Sequence, residues 1–120
     1  MAGIYTEITD IIAPEGAVAG SIVEIGVWIK NIGSYPFQIG CRANVDGTEI
    51  IAAWSSVDVP VGSTRAFVGS FIMPDRDVRI TAWSYYEGHE LYDDMKTKNI
   101  QVAELAPEIT TFEIVDYSKV

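Results

Sequence analysis

Cysteine and histidine are almost missing from this 120-residue chain, where Cys41 and His89 each stand alone. One cysteine forbids an internal disulfide and every multi-cysteine metal centre, and one histidine removes His-rich sites. Leucine is nearly absent as well: Leu91 and Leu105 stand against 16 Ile and 12 Val. Helical cores favour Leu, whereas β-branched side chains fit a pleated, half-buried surface, so an all-β domain is expected. Basic residues are scarce, with 8 Lys and Arg against 17 Asp and Glu, a net charge of −9. That balance argues against electrostatic capture of nucleic acid or of an anionic membrane. No apolar run approaches the length of a membrane-spanning helix, so no insertion into a membrane is expected. Residues 1–7 carry neither the basic nor the apolar region of a secretory signal, and no such signal is expected.

What remains is 48% hydrophobic and 21% charged, the composition of one ordinary folded domain. Residues 21–31 alternate most clearly, with Val23, Ile25, Val27 and Ile29 on one side and Glu24, Gly26, Trp28 and Lys30 on the other. Residues 37–44 alternate again, placing Phe37, Ile39, Cys41 and Ala43 on the apolar side. Asp46-Gly47 then separates two strand-like runs, the strongest short-range hairpin signal. Residues 49–54, 64–72, 78–86 and 99–104 read as further strands, and 5–12 as a loosely alternating first one. The single helix candidate is one turn at residues 93–97. Seven such runs, with regular turn signals, predict an immunoglobulin-like two-sheet antiparallel β-sandwich over residues 1–104. Residues 105–120 read as a C-terminal extension strand behind Pro107. It has three possible uses: closing the edge of its own sheet, beginning a second domain, or pairing with a neighbouring subunit.

Several of these pieces recur together in a known family. Gly20-Ser21-Ile22-Val23-Glu24-Ile25 leads to Lys30-Asn31-Ile32-Gly33, then to Val45-Asp46-Gly47 and Pro60-Val61-Gly62-Ser63-Thr64. This resembles the CARDB-type immunoglobulin-like modules of bacterial and archaeal surface proteins, with their K-N-x-G corner, V-D-G hairpin and P-x-G-x-T turn. The resemblance implies a non-catalytic module of an adhesin or other multidomain surface protein. Similar domains decorate phage capsids and tails, and a single module without an export signal fits a virion component better.

Residue by residue, little chemistry is offered. Cys41 shares the apolar alternation of Phe37 and Ile39, as a buried inert thiol does. His89 sits in a polar turn and is expected to be solvated. Carboxylates cluster at Asp75 and Asp77 and at Glu87, Glu90, Asp93 and Asp94. They lack the D-x-D-x-D-G spacing of a calcium loop, so solvated charge is expected and calcium is the alternative. There is no phosphate-binding loop, nucleophile elbow or H-E-x-x-H. No enzyme, metal or cofactor is therefore expected. Surplus aromatic surface is the positive signal: Trp28, Trp83 and Tyr85 face away from the inferred core, and Phe112 and Ile114 lie on the extension. These five are the candidate interaction residues, for a protein partner or self-assembly, with a glycan as the alternative ligand. Tyr35, Tyr86 and Tyr92, beside loops, are further candidates for stacking on a sugar. The expected setting is a virion or particle surface, or a cell surface if the module belongs to an exported protein.

Overall fold

The structure is a computed structural model that describes residues 3–103. The extension strand expected over 105–120, with Phe112 and Ile114, lies outside the described residues. Eight strands run in order: β1 (Thr6–Ile12), β2 (Gly16–Val18), β3 (Ile22–Asn31), β4 (Ile39–Val45), β5 (Thr48–Trp54), β6 (Thr64–Ile72), β7 (Val78–Tyr86) and β8 (Asp94–Ala103). They form a three-stranded sheet, β1-β3-β6, and a five-stranded sheet, β2-β8-β7-β4-β5. Their apolar faces close over one core, as two half-buried sheets must.

The alternation read from the sequence builds that core. Val23, Ile25, Val27 and Ile29 of β3 meet Ile39, Cys41 and Ala43 of β4 and Val78, Ile80 and Ala82 of β7, all buried. Phe37, Val59, Met73 and Ile100 close its ends and flanks. Each buried Ile or Val removes enough apolar surface from water to contribute about 1.5–3 kcal/mol. The β4–β5 hairpin turns at Asp46 and Gly47, whose φ angles are 49° and 89°. Two positive φ angles at the central residues give the right-handed twist that flanking strands require, which is why Asp-Gly marks the turn.

Three expectations are corrected. Strands among the described residues number eight rather than about seven, because Gly16–Val18 forms a short strand of its own on β8. That pair is parallel, so the sandwich is not wholly antiparallel. The chain passes through Ala13, Pro14 and a bend at Glu15, and so carries its first segment from one sheet to the other. Finally, residues 93–97 are not a helical turn, since β8 begins at Asp94 and pairs with β7 from Ser84 onward.

The family-like motifs hold the corners. Asn31 is fully buried; its amide donates to the carbonyls of Tyr35 (3.1 Å) and Val59 (2.8 Å) and its side-chain oxygen accepts the Gly33 N–H (2.8 Å). Its backbone carbonyl accepts the Gly62 N–H at 2.8 Å, and its own N–H donates to Ser63 at 2.9 Å. The Lys30–Gly33 corner and the Pro60–Thr64 turn are thus two halves of one hydrogen-bonded joint. A buried Asn with all these groups paired is a structural element.

Candidate functional site

Each sheet presents one outer face to solvent, and the two faces differ in chemistry. On the three-stranded sheet, register pairs Trp28 with Asp10 and Ala66, Gly26 with Ile12 and Val68, and Ile22 with Ile72. Ile12, Ile22, Trp28, Val68 and Ile72 are all exposed, from 42% at Trp28 to 78% at Val68. Trp28 leans over Gly26, so that indole, Ile12, Ala66 and Val68 line a shallow groove. Exposed large apolar side chains scattered singly are ordinary, but five on one small sheet face are not.

The five-stranded sheet carries the other aromatics. Trp83 lies between Arg42 of β4 and Met95 of β8, and Tyr85 lies beside Gly40. Trp28 therefore sits on the opposite sheet from Trp83 and Tyr85, and the three do not converge. Across Gly40 from Tyr85 stands Trp54, which the alternation did not mark. A Cβ built on Gly40 would lie 2.9, 2.9 and 3.0 Å from Cδ2, Cε2 and Cζ2 of Trp54. Near-equal distances to three members of one six-membered ring place the ring face-on over Gly40. Arg42 pairs with Glu49 at 2.7 Å. Glu49, followed by Tyr85, holds the guanidinium above its ordinary pKa.

Several of the groups that usually do chemistry are occupied in holding the fold. Asp93 accepts the N–H groups of Ile4 (3.0 Å), Tyr5 (3.0 Å) and Thr6 (2.7 Å) and the Thr6 hydroxyl (2.7 Å). Burial pushes its carboxyl up, but the Thr6 hydroxyl and these three amides together outweigh burial and hold it below the usual carboxylate value. Asp94 accepts the N–H groups of Ile8 and Met95, both at 2.8 Å. Glu87 accepts the Gln38 N–H and Asp77 that of Val102. Among the described residues no three His, Cys, Asp or Glu side chains converge to hold a metal ion. Cys41 is buried, and burial pushes its thiol up to about 12, which keeps it neutral and unreactive. His89 is exposed yet packs on the Tyr86 ring, 3.7 Å between centroids, and Tyr86 in turn packs on Tyr5 at 4.1 Å. Tyr86 is thereby part of the packing at one end of the core. Tyr35 and Tyr92 remain exposed, Tyr35 edge-on to Phe37.

No family model and no curated protein sequence matches the chain. Solved structures do. A CARDB domain from Pyrococcus furiosus, solved in complex with di-metal ions, superposes with a TM-score of 0.67 at 16% identity, over 86% of this chain and 93% of that one. The fold is CARDB-like. At that identity the likeness carries architecture alone, and the di-metal ions belong to the Pyrococcus domain. The CARDB-like sandwich also matches part of the exo-chitosanase of Amycolatopsis orientalis, at 8% identity and a TM-score of 0.65. It matches part of a Bacteroides uniformis β-glucuronidase at 13% identity and 0.57. In both, the match covers 83% of this chain and only 13% of the enzyme, so it conveys no activity.

Proposed function

We propose that this chain is a non-catalytic contact module, a structural or accessory component of a larger particle such as a virion. It docks through the outer face of its three-stranded sheet. The single observation that carries the reading is the aliphatic and indole strip of Ile12, Ile22, Trp28, Val68 and Ile72. Its occupant is a protein surface of another kind, apolar at the centre and basic at the margin. Asp10 and Glu24 outnumber Lys30 at the margin of the strip, and with −9 on each copy two copies repel across it. Burying Trp28 at the centre of such a contact supplies the sort of aromatic anchor that dominates interface energetics.

The segment beyond β8 reinforces the attachment by strand pairing. Ala103 pairs with Val18, and Gly20 donates to Met73 at 2.7 Å, so the chain leaves β8 close to the end of β6. Seventeen further residues, fully extended, reach about 56 Å, well beyond the length of β6.

The test is site-specific photocrosslinking in the cells that make the protein, with a benzophenone side chain at Val68 and a control at Thr97 on the other sheet. One crosslinked protein, identified by mass spectrometry and formed at Val68 but not at Thr97, supports the reading. Its identity as a particle or a cell-envelope component decides the setting. Equal adducts at both positions, or none at Val68, overturn it.

A further inference from the structure

We infer that the outer face of the five-stranded sheet is a saccharide-binding platform, built on Trp54 and taking a neutral pyranose ring of a glycan chain. The inference is independent of the docking face, which lies on the other sheet.

Trp54 is seated for stacking. One face of its six-membered ring covers Gly40, and the other looks outward, the residue being 49% exposed. The bare glycine lets the indole lie flat; any side chain at position 40 would lift it off the sheet. Gly40 pairs with Tyr85 on its far side, so the aromatic surface continues from β4 to β7, about 4.8 Å across. Trp83 follows two residues further along β7, on the same face. Trp54 and Tyr85 border a shallow cup of about 440 Å³ whose lining also includes Arg42, His89 and Glu90.

This chemistry selects one kind of ligand. A pyranose has a flat C–H face that packs on an aromatic ring and an edge of hydroxyls that both donate and accept. The platform offers a ring face with a phenol, a carboxylate and a guanidinium around it, each fit for hydroxyls. The guanidinium is already paired with Glu49 at 2.7 Å and His89 shares the lining with the Glu90 carboxylate, so the cup carries no surplus of positive charge that would call for an anionic sugar. Beyond the rings and Met95 the face turns polar, with Thr81, Thr97 and Asn99 in the next outward positions, which suits a hydroxylated ligand better than an aliphatic protein surface.

Affinity electrophoresis of the full chain through gels containing hydroxyethylcellulose, laminarin, galactomannan or glycol chitin tests this. The chain is expected to be retarded by at least one of the four. Trp54→Ala should weaken that binding at least tenfold, Tyr85→Ala severalfold, and Trp28→Ala not at all. Raising the salt to 0.5 M should leave retardation unchanged. Absence of retardation in all four gels, or an equal loss with Trp28→Ala, overturns the platform. The melting temperature of Trp54→Ala, a surface substitution, verifies that loss of binding is not loss of fold. Failure here leaves the Val68 crosslink untouched, and the reverse also holds.

Discussion

Asp93 commits its whole carboxylate to the first segment of the chain, accepting three amides and one hydroxyl. Hydrogen bonds to a charged acceptor are among the stronger ones, so Asp93→Asn is expected to cost about 2 kcal/mol at pH 7. The sign with pH follows from the depressed pKa. Its contribution is complete above the unfolded value of 3.8 and fades as pH falls through the lower folded value. Thermal melts followed by circular dichroism from pH 7 to 2 should show a steeper acid loss in the parent than in Asp93→Asn. Equal slopes would remove Asp93 from the account. None of this was legible in the sequence, where Asp93 stood among four loop carboxylates and its partners lie 87 to 89 positions away. Trp54 was hidden for a different reason. The register of β4 on β5 shifts between Ala43 and Asn44, so the side of every residue of β5 had to be read from its partner and not from period two.

At the scale of elements, strands with clean alternation were legible to the residue. Thr64–Ile72 and Val78–Tyr86 begin and end where the sequence places them. The Asp46-Gly47 hairpin is the same kind of success, and it is testable. Gly47 has a φ of 89°, so Gly47→Val forces a branched side chain into a left-handed backbone at a cost of about 1–2 kcal/mol. Urea unfolding should show a lower midpoint with an unchanged slope; an unaltered midpoint would mean that the turn does not set the register. The first half of β8 was illegible because its inward positions are Asp94, Lys96 and Lys98. Apolar alternation fails there because charged heads serve as clasps: Lys98 donates to the Ile11 carbonyl at 3.1 Å and Asp94 accepts from Ile8. Long lysine stems cover apolar surface while their heads stay polar, and a pattern of hydrophobic letters cannot register that.

For the whole molecule, one sandwich carries two unlike outer faces, aliphatic on one sheet and aromatic-polar on the other. The alternation reads Trp28, Trp83 and Tyr85 as facing away from the core, but that they lie on different sheets, and the contrast between the two faces, emerges only when strand order is known. The extension belongs to this scale as well. Deleting residues 105–120 should lower the Val68 crosslink yield at least threefold while the melting temperature of the remaining sandwich stays within about 3 °C. An unchanged yield would leave the sheet face acting alone.

The run of chain from Ile8 to Val18 tracks β8 in the same direction: Ile8 meets Asp94, Ile11 meets Lys98, and Val18 pairs with Ala103. The described chain consequently enters beside Asp94 and leaves at Ala103, at opposite ends of β8. Tension applied between Ile8 and Ala103 runs along those bonds, so that they are loaded together instead of one at a time.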